Sequence, residues 1–186
     1  EPNAGSDLAS IATRAERVDG GYRITGQKTW VTSAPVADFF TVFARAGADQ
    51  KLTIFLVERG MPGLAIGRAI HKMGVRALPT SELSFDGCFV PDTHRLSRVE
   101  GDGEEHLRKT LAEIRIITGA MAVGIARAAL AASLQYASER KQFGKPIGAN
   151  QAIQQKLAEM GTQLVAAKLL VYEAARRCDA GESHHL

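Results

Sequence analysis

Through residues 11–91 the chain is written in short apolar or alternating runs separated by turn residues. Residues 11–18 lead into Asp19-Gly20-Gly21, residues 22–25 into Gly26-Gln27, and residues 28–32 follow. Runs of this length between glycine-bearing pairs predict strands joined as hairpins. Further runs at 39–44, 52–57, 64–70 and 82–85, with breaks at Pro62-Gly63 and Pro79, recur at the spacing of a sheet sandwich or barrel. An all-β domain is expected over residues 1–101.

Beyond Pro91 the period changes. Gly101-Asp102-Gly103 closes the β region, and alanine, leucine and charged residues dominate from Glu104 onward. One helix or a broken pair is expected from about Glu104 to Phe143, stopped by Gly144 and Pro146. A second is expected from about Asn150 to Ala180. On it Ile153, Leu157, Met160, Leu164, Ala167, Val171, Ala174 and Cys178 recur in steps of four and three, which makes one apolar stripe. The first helix offers a facing stripe of mostly small residues, Ile114, Ile117, Met121, Gly124, Ala128 and Ala131. Two helices cannot enclose a core, so the rest of a bundle must come from other sequence or another subunit. The fold class is α+β: a sandwich- or barrel-like β-domain, then, over residues 102–186, two long antiparallel helices of an incomplete bundle.

Charge and composition narrow the function. The net charge of +3 arises from scattered basic residues, and aromatics do not interleave with them, which argues against nucleic-acid binding. Cys88 and Cys178 form no disulfide framework, so a reducing compartment is expected: cytoplasmic, or the mitochondrial matrix in a eukaryote. The apolar stretch 119–132 is short for a bilayer and contains Arg127, which predicts a buried core helix and no membrane span. The opening residues lack an initiator Met and signal-peptide character, so the chain is expected to start inside a longer product. His106, His184 and His185 have no ligand-like spacing, and no metal site is expected.

Several residues could carry chemistry. Ala4-Gly5-Ser6-Asp7 suits a turn whose amides point at an anion, or an ordinary Asp turn. Trp30 and Thr32, two apart on a β-run, share a sheet face. An indole beside a hydroxyl suits a flat heteroaromatic ring such as a flavin, or else is a core Trp with a surface Thr. The segment from Arg140 to Lys145 is either a helix cap or a place where Arg140 meets a diphosphate and Phe143 packs on a purine.

Taken together, Glu1-Pro2-x-Ala4-Gly5-Ser6-Asp7, Gly26-Gln27-Lys28-x-Trp30-Val31-Thr32, Lys72-x-Gly74-x-Arg76 with Thr80, Phe85 and Val90-Pro91, and Tyr136-Ala137-x-Glu139-Arg140-x-Gln142-Phe143-Gly144 with Gln151 resemble the acyl-CoA dehydrogenase family. The resemblance runs over nearly the whole chain. It implies an FAD enzyme that forms a trans double bond between Cα and Cβ of an acyl-CoA thioester, a glutamate removing the Cα proton as hydride leaves Cβ for flavin N5. By motif match Gly5 and Ser6 approach the FAD diphosphate and the CoA ester. Trp30, with Val31, covers the ring, and Thr32 bonds near N5. Arg140, Gln142, Phe143 and Gln151 reach the FAD of a neighbouring subunit, which makes a homotetramer part of the site. Arg115 lies on the substrate side, and an electron-transfer flavoprotein is the implied acceptor.

The chain departs from the pattern at Ala112, where many members carry an acid near the CoA adenine, at Leu78, where serine is frequent, and at Asn150, which replaces an aromatic or histidine. Ile114 stands where some branches carry the base, and Glu113 is turned about 100° from it on a helix. No catalytic residue is therefore assigned within this chain, and the glutamate is expected outside it. Relatives of this fold include acyl-CoA oxidases and flavin monooxygenases. A non-catalytic subunit of a heteromeric dehydrogenase is a further alternative.

Overall fold

The computed structural model describes residues 1–182, so His184 and His185 lie outside the described residues. The chain forms two compact units, Glu1–Leu107 and a second that starts at Arg108.

The first unit is built on strands β1 (Arg14–Val18), β2 (Gly21–Thr32), β3 (Phe39–Ala46), β4 (Lys51–Glu58), β5 (Leu64–Ile66) and β6 (Thr80–Pro91). They form one mixed sheet of order β4-β3-β1-β2-β6-β5 in which only β1 and β3 run parallel. The sheet curls on itself. Tyr22 of β2 meets Phe55 of β4 edge to face at 4.9 Å although two strands lie between theirs in the sheet. After β6 the chain crosses to the free edge of β4, where Leu96 N–H donates to Ile54 O at 2.9 Å and Ile54 N–H donates to Ser97 Oγ at 2.9 Å. Ala15, Ile24, Phe40, Val42, Phe85, Cys88 and Val90 fill the interior. Strand β4 is buried on both faces because Leu52 joins Ala4, Ile11 and Leu107 in a second apolar cluster.

One glycine was expected to break a strand and does not. Gly26 and Gln27 lie inside β2, where Gly26 (φ +149°) lets the strand press against Thr13. Gly87 (φ +59°) lies inside β6, which runs on well beyond the expected residues 82–85. From Ile24↔Cys88 to Gly26↔Phe85, β6 spends one residue more than β2, which is a bulge. It switches the buried parity from Leu83 and Phe85 to Cys88 and Val90. Within residues 64–70 only the first three form a strand.

Helix α1 (Gly103–Glu139) is continuous. It ends before Phe143 because the chain turns into a tight hairpin, β7 (Lys141–Gln142) and β8 (Lys145–Pro146), before α2 (Gln151–Asp179). In the second unit most of the α2 stripe is half-buried, Ala167 being exposed. On α1 the expected stripe is wrong: Ile114, Ile117, Met121, Gly124, Ala128 and Ala131 are all exposed. The inward positions are Ala112, Ile116, Gly119, Val123, Leu130, Ser133 and Ala137, and a Cβ on Gly119 would stand 3.0 Å from Val171 Cγ2. Apolar residues surround α1 on most sides, so periodicity alone selects no face. For the same reason residues 119–132 are largely exposed here rather than buried, and α1 is long and apolar enough, by length and composition, to cross a membrane.

Candidate functional site

An open cleft of about 410 Å³ lies over the end of β2, a volume in the range of small-molecule sites. Glu1, Lys28, Trp30, Val31, Thr32 and Phe39 line it. From Lys28↔Leu83 to Val31↔Ser81, β2 spends one residue more than β6, so a second bulge sits at Thr29 and Trp30. Trp30 there adopts φ +59°, a left-handed conformation rare for a bulky residue, and leaves the indole 61% exposed. It is not a core tryptophan. The bulge also voids strict alternation as the reason for pairing Trp30 with Thr32, yet both still line the same cleft. Strain that holds a large aromatic group open to a cavity is characteristic of ligand sites.

The turn that carries Gly5 and Ser6 is braced from both sides. Asp7 is spent on its own turn: its carboxylate accepts from Ala9 N–H at 3.1 Å and from the Ser10 hydroxyl. Gly5 and Ser6 are exposed, and a Cβ added at Gly5 would meet nothing within 4 Å. Packing within this chain does not demand glycine there, so the space beside the backbone is open to a ligand.

At the other end of the turn Glu1 is nearly enclosed. Its Oε1 accepts from Lys28 Nζ at 2.5 Å and Thr13 Oγ1 at 2.7 Å, and its Oε2 from Ala12 N–H at 2.5 Å. Lys28 Nζ also donates to Phe43 O at 2.7 Å. Burial pushes the Glu1 carboxyl up, but the bonds from Ala12, Lys28 and Thr13 outweigh it and hold the group down at about 2. Burial lowers the Lys28 ammonium, although Glu1 pulls the other way. A carboxyl depressed in the folded state stabilises the fold above its ordinary value of 4.5, and that stabilisation is lost as pH falls through about 2. Glu1→Gln is therefore expected to lower the unfolding midpoint at neutral pH, with the difference from wild type closing between pH 4.5 and about 2. Urea melts across that window check it, and a pH-independent difference would exclude the linkage.

In the second unit the nominated residues fall at two separate places. Arg140, Gln142 and Phe143 share the connector between the helices with Gln151, the first residue of α2, and all are exposed. Phe143 (φ +51°) and Gly144 (φ +77°) form the two-residue tip of the hairpin, and Phe143 projects wholly into solvent. Ile147 N–H donates to Arg140 O at 2.8 Å and Gln154 Nε2 to Gly148 O at 3.0 Å, which pins the connector to α2. Arg115 is exposed on α1, and the 24 residues from it to Glu139 span roughly 36 Å of helix. Glu113 and Ile114 are exposed beside it. Sequence reasoning gave no role to the Glu1–Lys28 pair and did not nominate Phe39 for the cleft. Nothing local in the sequence signals either, because their partners are set by strand pairing.

A family model for the middle domain of acyl-CoA dehydrogenases matches residues 1–88, and one for their C-terminal domain matches residues 101–185. With the curled sheet, the long helices and the cleft motifs on one chain, the class is defined: the chain belongs to the acyl-CoA dehydrogenase family. Among curated relatives, benzylmalonyl-CoA dehydrogenase of Aromatoleum aromaticum is 74% identical over 100% of this chain and 49% of its own length. The solved butyryl-CoA dehydrogenase of Megasphaera elsdenii superposes with a TM-score of 0.92 at 39% identity, over 99% of this chain and 49% of that one. A structure of PigA with FAD and proline gives 0.94 at 33%, over 99% and 49%. The chain spans about half the length of the curated relatives it matches.

Proposed function

We propose that this chain is the central part of an FAD-dependent acyl-CoA dehydrogenase acting on a thioester whose acyl part carries an aromatic ring and a carboxylate. The strongest single support is Trp30, held at a positive φ with its indole open to an apolar cleft that a flat ring could occupy. The substrate class rests on the 74% identity to benzylmalonyl-CoA dehydrogenase, and the cofactor on the motifs and on the FAD of PigA.

FAD, when bound, supplies a two-electron acceptor for hydride. Trp30, Val31 and Thr32 would hold its ring, while Gly5 and Ser6 would approach its diphosphate and the thioester. By the family resemblance of their motif, Arg140, Gln142, Phe143 and Gln151 would serve the FAD of a second copy. A homotetramer and an electron-transfer flavoprotein acceptor complete the proposal. The resemblance puts the Cα base either at the position that Ile114 holds or later in the C-terminal domain, so a glutamate outside residues 1–186 is the proposed base.

The full-length gene product is expected to purify yellow and to bleach anaerobically with benzylmalonyl-CoA faster than with butyryl-CoA. The 186-residue chain alone is expected to reduce no dye with either. A colourless full-length protein that ignores added FAD overturns the proposal, and turnover by the segment alone overturns the placement of the base.

A further inference from the structure

We infer that Lys28, clamped by Glu1, is a positioning residue that holds the Gly5–Ser6 turn and the Trp30 bulge in fixed relation, so that the two halves of the cleft grip one ligand. The inference rests on the flavin reading above and assigns the pair a role in it. Four segments converge on these two side chains: the opening turn, the residues before β1, β2 immediately ahead of its bulge, and β3 at Phe43. Lys28 is the last residue of β2 in regular register before the bulge, paired with Leu83. Any shift of Lys28 along its strand therefore shifts Trp30, and any shift of Glu1 shifts the turn four residues further on.

The setting argues for a positioning role beside the pH-linked stability of Glu1. The two side chains are only 16% and 6% exposed, so both ions have surrendered most of their hydration. Apolar groups of similar volume commonly stabilise such a place as well or better, and what an enclosed pair adds is a defined geometry. The geometry here is specific: one ammonium joins the carboxylate of the opening turn and a backbone carbonyl of β3, and that carboxylate also accepts from Ala12 N–H, Thr13 N–H and the Thr13 hydroxyl. Both residues border the cleft itself.

The test uses the full-length product and measures FAD affinity together with the shape of the visible flavin band, which reports the surroundings of the ring and not mere foldedness. Lys28→Met, which keeps the aliphatic stem, is expected to weaken FAD about tenfold or more and to alter the band. Lys28→Arg, which keeps the charge and can reach both acceptors, is expected to restore affinity and band shape. Glu1→Gln keeps the size and removes the charge, and it carries the test should Lys28→Met fail to fold; it too should weaken FAD and shift the band. Unchanged affinity in the folded variants, or equal impairment of the Met and Arg variants, overturns the inference. A wild-type protein that binds no FAD instead overturns the dehydrogenase reading.

Discussion

Gly26→Val is expected to destabilise the β-unit severely. A Cβ at this position would lie 2.6 Å from Thr13 Oγ1 and 2.8 Å from Thr13 Cα, and the second contact is backbone that cannot swing aside. The residue also holds φ +149°, which a β-branched side chain resists. Overpacking and backbone strain together cost about 2–6 kcal/mol, against a total stability of about 5–15 kcal/mol for a typical domain. Thr13 cannot retreat freely, because its hydroxyl is bonded to Glu1. Gly60→Ala is the control: Gly60 shares a positive φ of +85° but faces open space, so it should lose only about 1–2 kcal/mol. Chemical melts followed by Trp30 emission separate the two, since the chain holds a single tryptophan. Equal midpoints for both variants would exclude the close approach of β2 to Thr13.

Trp30→Ala should produce the second large effect, on cofactor and not on folding. An exposed indole at the wall of a cleft contributes little to the apoprotein, so the melting temperature without flavin should stay near that of wild type. A buried aromatic anchor in a binding site is commonly worth about 2–4 kcal/mol, which corresponds to roughly 30- to 1,000-fold in FAD affinity. Flavin content after gel filtration, with equilibrium titration of the apoprotein, measures it. Full retention of FAD by Trp30→Ala would place the flavin elsewhere than the cleft.

What could be read in advance depended on whether neighbours along the chain decide a residue's place. Phe40, Val42 and Ala44 face inward as plain alternation foretells, because β3 is regular along its whole pairing with β4. The two helices were legible from their length and caps, and the family from the identity and order of its motifs. Trp30 was harder: its common cleft with Thr32 was anticipated from a period of two, but the period is interrupted between Lys28 and Val31 and a bulge supplies the arrangement instead. The inward face of α1 was misjudged because Ile114, Ile117 and Met121 are as apolar as Ile116 and Val123, and only the seat of Gly119 against Val171 chooses between them. Glu1 and Lys28 meet across 27 positions of sequence, a distance at which composition is silent.

The extra residue at the bulge of β6 gives that strand one place where its length can change while its facing is kept. Were Asp86 or Gly87 deleted, β6 would pair one-to-one with β2 across this point, and plain alternation would then keep Phe85, Cys88 and Val90 inward and Phe89 outward. The loss of a codon in the regular stretch ahead of it, at Ser84 for example, would instead throw Leu83 and Phe85 onto opposite faces of the sheet.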